Sequence, residues 1–267
     1  MKTRIITAVL CIPLLVIILL SDSRIIAGAI ILLSLIGLSE FYRAVDLKSC
    51  VPLCIIGYAA GILIPLASYM PHRISMLLVY ILMLSVFGVM LRRHRSVGVK
   101  DAALLILSLI YIPYFLTNIL YIREMEYGRF YIWLVFIGAF LTDSCAYFSG
   151  VFLGRHKLCP EISPKKTVEG AVGGVLGGVL FFVIYGIILK SVFALQIDFA
   201  RLALLGLIAS VISEIGDLTA SIIKREYGIK DYGTLFPGHG GILDRCDSVI
   251  LVAPAVYLFL AEAGILL

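Results

Sequence analysis

Apolar runs long enough to cross a bilayer recur along the whole chain, and they leave few folds open. About 20 helical residues span the roughly 30 Å hydrocarbon core of a membrane. Runs of that kind lie at Ile5–Leu20, Ile25–Ser39, Val51–Met70, Ile74–Leu91, Ala102–Ile122, Phe130–Leu153, Gly170–Leu189, Leu202–Ile223 and Ser248–Leu267. Composition agrees: 61% of the 267 residues are hydrophobic and 15% charged, where a soluble domain carries about 25% charged residues. So few polar side chains cannot cover a globule in water. A secreted disulfide scaffold, a disordered regulator and an ordinary cytosolic enzyme are excluded. Backbone groups in lipid must be satisfied internally, and the runs are too long and continuous for barrel strands. The expected fold is all-α, a polytopic membrane helix bundle of about nine transmembrane helices.

Charge placement predicts the orientation. With the N-terminus on one side and the loops alternating, that side holds Lys2, Arg4, Arg43, Lys48, Arg92, Arg93, Arg95, Lys100, Arg155, Lys157, Lys165, Lys166, Lys224, Arg225, Lys230 and Arg245. The other side holds Arg24, Arg73, Arg123, Arg129, Lys190 and Arg201. Basic residues collect at the cytoplasmic face, so the N-terminus is expected inside and the C-terminus outside. The first run ends in Ser21-Asp22-Ser23 without a small-residue cleavage pattern, and reads as a retained helix rather than a signal peptide. The six cysteines form no CxxC pair and read as small buried hydrophobes. The net charge of +5 points to anionic lipid or nucleotide rather than nucleic acid.

Organisation divides near residue 129. Residues 1–129 read as scaffold helices almost free of buried charge, with Gly28, Gly37, Gly57 and Gly61 suited to close helix contact. Residues 130–267 carry the polar loops, Gly154 to Glu169 and Lys224 to Asp247, and loops carry function more often than the helices that position them. The two parts are expected to form one integral-membrane unit.

Acids inside apolar runs are costly, about 2.5–3.5 kcal/mol each on insertion scales. Asp143 lies in the sixth run and Glu214 and Asp217 in the eighth. Ser210, Ser213, Asp217, Ser221 and Lys224 follow at helical spacing and predict one polar stripe. Glu214 alone reads as an interhelical pairing group. Asp217 reads as functional because of the segment after it, which runs from Ser221 through Asp231, Pro237-Gly-His239-Gly-Gly and Asp244 to Asp247. The Gly-rich turn feeds a helix start whose free N–H groups favour an anion. Asp244 and Asp247 fall on one helical face, and with Asp217 they would repel one another unless a hard cation sat between them; oxygen-only ligands suit magnesium. Lys224, Arg225, Lys230 and Arg245 add phosphate-binding charge. An Asp–Arg knot holding a loop is the plainer alternative for any one of these residues.

The other polar segment offers Ser163, Lys165, Lys166 and Thr167 just before a helix. Ser163 or Thr167 can cap that helix while the lysines engage phosphate, or the loop can rest on anionic headgroups. Gly170, Gly173, Gly174, Gly177 and Gly178 form a small-residue packing face. His239 is either a phosphate donor or a support for its own turn.

These motifs resemble one family. The run from Ser221-x-x-Lys-Arg through Lys230-Asp231-x-Gly and Pro237-Gly-His-Gly-Gly to Asp244-Arg-x-Asp247 is similar to the signature of phosphatidate cytidylyltransferases, the CDP-diacylglycerol synthases. Asp143-Ser-Cys-Ala-Tyr147-Phe-x-Gly150 and Ser163-Pro-Lys-Lys-Thr-x-Glu169-Gly170 look like the same family. The resemblance implies that CTP and phosphatidic acid give CDP-diacylglycerol and pyrophosphate, with Mg2+ required, at the inner face of a bacterial inner membrane. It implies Asp217, Asp244 and Asp247 as metal ligands, with Lys224 and Asp231 also catalytic, Asp231 as a metal-site residue or an organiser of its basic neighbours. Substrate-binding positions are Ser163, Lys166, Thr167, Ser221, Arg225, His239 and Arg245. The glycine content is compatible with a homodimer.

An ion transporter using Asp143, Glu214 and Asp217 would continue its polar path across the bilayer and show a repeat; neither is visible in the sequence. A CDP-alcohol phosphotransferase would need an Asp-Gly-x2-Ala-Arg run, which is missing. A purely structural scaffold leaves Asp217 without a task.

Overall fold

The computed structural model describes residues 2–235 and 240–266, with side chains from residue 11 onward. These residues are almost wholly helical. Six stretches are long and apolar enough to cross a membrane: Ser23–Ala44, His72–Arg92, Val99–Glu124, Gly128–Leu153, Val168–Phe193 and Phe199–Glu226. Shorter apolar helices cover Cys11–Leu20 and Val51–Ala67. The chain divides into two compact units, Met1–Glu124 with Tyr227–Arg245, and Met125–Glu226 with Cys246–Leu267.

In unit 1, α1 (Lys2–Leu20), α2 (Ser23–Ala44), α3 (Val51–Ala67) and α4 (His72–Arg92) precede a long rod made of α5 (Val99–Leu109) and α6 (Phe115–Glu124). A π-turn at Ile110–Tyr114 joins the two halves of that rod. Pro113 inside the turn has no N–H to give, which interrupts the regular helical ladder there. Thr117 Oγ1 donates to the Pro113 carbonyl at 2.6 Å, and Asn118 Nδ2 donates to Tyr114 and Phe115. Close packing needs small residues, because lipid offers helices no hydrophobic drive to associate. A Cβ on Gly57 would strike the Tyr42 hydroxyl, and one on Gly61 would crowd Leu38. Gly37 packs against Ile112 and Leu243 in the same way. Gly28 was expected to join this set but faces open space. In α4 only Val86 is buried among the described side chains, so that helix offers its apolar surface to lipid.

In unit 2, α7 (Gly128–Phe136) and α8 (Thr142–Leu153) form one rod interrupted by a π-turn at Ile137–Leu141. Strands β1 (Lys157–Cys159) and β2 (Ser163–Thr167) pair antiparallel, a small hairpin where the sequence suggested only a loop. Then come α9 (Val168–Phe193) and α10 (Phe199–Glu226). Helix α11 (Leu243–Glu262) opens in unit 1 and continues as the last helix of unit 2. The small-residue face expected on α9 is present and inverts the soluble pattern. Gly170, Gly174, Gly178 and Gly186 are buried, while Val172, Leu176, Leu180 and Ile187 point outward. A Cβ on Gly178 would meet Ser210, one on Gly177 would meet Cys145, and one on Gly173 would meet Ser149. The glycines thus draw α8, α9 and α10 into close contact. The six cysteines are free.

Candidate active site

The expected polar stripe on α10 is real and mostly sunk into the protein. Ser210, Ser213, Ser221 and Lys224 are buried, and Asp217 is half-buried. Thr142 Oγ1 donates to Ser210 Oγ at 3.0 Å, tying the stripe to α8. One turn further, Ser213 Oγ and Ser248 Oγ both donate to Asp143, at 3.3 and 3.1 Å. Ser221 Oγ lies 3.5 Å from Asp217, and Asp247 accepts the Ser248 amide at 2.9 Å. The carboxylates of Asp143, Asp217 and Asp247 stand near enough to repel one another, with Lys166 and Lys224 as the opposing charges.

Lys166 enters from β2 and reaches two acids at once, Glu214 at 2.6 Å and Asp217 at 2.9 Å. Burial works against its charge, but the two carboxylates outweigh burial and hold its pKa above the ordinary lysine value. Glu214 does the pairing work expected of it. Its other oxygen, Oε1, is buried without a hydrogen-bond partner among the described residues.

Local structure explains how Lys166 is aimed. The adjoining Thr167 is the N-cap of α9, its Oγ1 accepting from the Gly170 amide at 3.1 Å, so β2 passes into α9 with no slack between them. Glu169, in the first turn of α9, accepts from the Arg155 and His156 amides and meets the His156 ring at 2.6 Å, which ties down the other end of the hairpin. Arg225 donates Nε to the Ile162 carbonyl at 3.3 Å, fastening the hairpin to the end of α10. A cleft of about 500 Å³ opens over this hairpin, lined by Asp143, Tyr147, Lys157, Ser163, Lys165, Lys166, Thr167, Glu214 and Asp217. Its floor is acidic and its rim basic.

The remaining expected residues belong to the other unit or lie outside the described residues. Asp231, Asp244 and Arg245 belong to unit 1, and Asp231 and Arg245 are exposed. Asp244 is buried, and its Oδ2 accepts two backbone amides, Tyr232 at 2.8 Å and Gly241 at 2.9 Å. His239 and Pro237 lie outside the described residues. The helix start read as an anion site is already served by a carboxylate of the protein. Ile242 and Leu243 donate their amides to Glu40, at 3.0 and 2.9 Å. Glu40 is 4% exposed, which corrects the reading of the early helices as almost free of buried charge. It is the one acid in α2, directly after the apolar run Ile25–Ser39, and that was the signal available.

Magnesium can be tested against this donor set. Among the described residues no three His, Cys, Asp or Glu side chains are gathered closely enough to hold a metal ion by themselves. The chemistry nevertheless fits, because Asp217, Asp247 and Asp143 offer only hard oxygen donors in a locally acidic group. Magnesium is commonly held by one or two carboxylates with substrate phosphates completing its shell.

The model of the cytidylyltransferase family matches residues 2–262. A phosphatidate cytidylyltransferase of Bacillus subtilis is 39% identical over 185 residues, covering 67% of each chain. One of Staphylococcus epidermidis is 33% identical over 267 residues, 98% of this chain and all of that one. One of Thermotoga maritima is 32% identical over 174 residues, 65% of this chain and 64% of its own.

Proposed function

Because the chain belongs to the cytidylyltransferase family, we propose that it transfers CMP from CTP to phosphatidic acid, forming CDP-diacylglycerol and pyrophosphate. The relatives that bear the name phosphatidate cytidylyltransferase, at 31–39% identity, point to this substrate pair. The observation that carries the reading is the cleft in unit 2, where Lys166, Ser163 and Lys165 surround Asp217 and Asp143. Both substrates are anions, so the site must first cancel their repulsion. Lys166, Lys165 and Lys157 would receive phosphate oxygens, with Ser163 donating a hydroxyl. Lys224 would hold Asp247 in place, and Arg225 would keep the hairpin seated.

The phosphatidate phosphate would attack the α-phosphorus of CTP and pyrophosphate would leave. No general base is required, since a phosphate monoester is ionised near neutral pH. Asp217 and Asp247, with Asp143 beside them, would hold magnesium, while Asp244 serves its turn. Held by these carboxylates, magnesium would supply positive charge to offset the charge that develops during transfer.

The finer architecture belongs to the same proposal. The chain crosses the bilayer about nine times, with its N-terminus and the cleft on the cytoplasmic side of a bacterial inner membrane. The basic-residue asymmetry supports that orientation. A homodimer is compatible with the glycine-rich packing.

The test is purified protein in detergent with phosphatidic acid, labelled CTP and magnesium. Label should enter a chloroform-soluble product and depend on all three components. If no lipid-linked CMP forms across a range of pH, detergent and magnesium, the proposal fails.

A further inference from the structure

Glu40 takes no part in the site just described, yet it is among the best-buried charged side chains in the protein. It sits near the end of α2, some two hundred residues from the backbone it serves. Both its oxygens are engaged, Oε1 by the Ile242 amide and Oε2 by the Leu243 amide. These are N–H groups at the opening of α11, where a helix has no partners of its own and where its dipole favours negative charge.

The surroundings are shaped to this carboxylate. A Cβ at Gly233 or at Gly241 would collide with it, so glycine at both positions leaves the space it occupies. Gly240 has a left-handed backbone at φ +83°, and a side chain there would also run into Asp244. Asp244 closes the arrangement from the other side, accepting the Gly241 and Tyr232 amides through one oxygen. Three consecutive amides at the opening of α11, Gly241 to Leu243, are therefore held by two buried carboxylates, one of them contributed by the scaffold helices.

We infer that Glu40 is a positioning residue, which fixes the backbone at Ile242 and Leu243 and the first turn of α11 and so sets the register of Asp247 for turnover. Asp244 and Asp247 ride on one continuous helix, and whatever fixes its opening fixes both. The inference rests on the cytidylyl-transfer reading for its catalytic consequence, and on the hydrogen bonds alone for its structural one.

The experiment uses the full-length protein with Glu40→Gln and, independently, Gly241→Ala. Gln has Glu's shape but keeps one acceptor, and Ala at 241 intrudes on the carboxylate while leaving Glu40 itself unchanged. Backbone hydrogen exchange should accelerate in peptides covering 240–245 and stay unchanged across α9 and α10. In the CTP and phosphatidate assay, kcat should fall on the order of a hundredfold, with KM for either substrate within about twofold of the unaltered protein. Glu40→Asp, which keeps the charge on a shorter arm, should restore part of kcat. Unchanged exchange at 240–245 in both variants overturns the inference, as does fast exchange there with undiminished kcat. Loss of protection throughout the chain also overturns it, since Glu40 would then be a general packing residue. If the unaltered protein makes no lipid-linked CMP, the proposed reaction is what fails, and the exchange result still decides whether Glu40 holds the turn.

Discussion

The two units bury their acids in opposite ways. In unit 1, Glu40 and Asp244 point at backbone amides, and each oxygen described is matched to an N–H it cannot exchange for anything else. In unit 2, Asp143 and Asp217 face hydroxyls, a lysine and each other, and Asp247 stands close to both while accepting one adjacent amide, that of Ser248. A carboxylate satisfied by main-chain amides is part of the framework. Carboxylates held in mutual repulsion, with side-chain partners that can move, are poised for something else to arrive. Both sets are carboxylates, and the kind of partner separates their roles.

The sharpest way to break this contrast is to neutralise one acid from each set. Asp217→Asn should lower kcat by about 10³-fold and leave the thermal midpoint in detergent within a degree or two. Asp244→Ala, by removing an acceptor from two buried amides, should cost about 2–3 kcal/mol of stability, read as a lower thermal midpoint. If both substitutions destabilise equally, or neither does, the division between framework and site acids is wrong.

A smaller effect is expected from Lys166→Met, which keeps the stem and removes the charge. Glu214 and Asp217 would then confront each other with no cation between them, a loss of about 2 kcal/mol after allowing for the partial exposure of Asp217. Turnover should fall with it, and Glu214→Gln added to Lys166→Met should recover stability but not rate. Recovery of both would mean that Lys166 only neutralises Glu214. The smallest effect is expected from Thr167→Ala, which removes the α9 cap for about 1 kcal/mol. Chemical denaturation followed by helical signal would measure it, and a larger kcat loss than stability loss would show that the cap aims Lys166.

Most of unit 2 was legible in the sequence for a physical reason. Polar residues at helical spacing inside an apolar run have few innocent explanations, so Ser210 to Lys224 announce a buried face before any fold is known. The α9 glycines are read the same way. Glu40 was missed because a lone acid near the end of an apolar run looks like a headgroup-level residue; its partners are backbone amides, which leave no trace in side-chain spacing. The hairpin was missed because Ser163-Pro-Lys-Lys-Thr has neither alternation nor β-branched residues before Thr167. The clamp role of Asp244 was hidden by its resemblance to its neighbour Asp247, since identical side chains three apart gave no hint that one serves amides.

The double grip of Lys166 on Glu214 and Asp217 has a consequence for ligand order. An arriving phosphate does not find Lys166 bare; to reach it, the phosphate must trade places with Glu214 and Asp217. Affinity for the first anion alone is thereby depressed, and it rises when a second positive group takes over Asp217. An exchange of that kind would make Lys166 a poor landing point for a lone phosphate and a better one once both acids have other company.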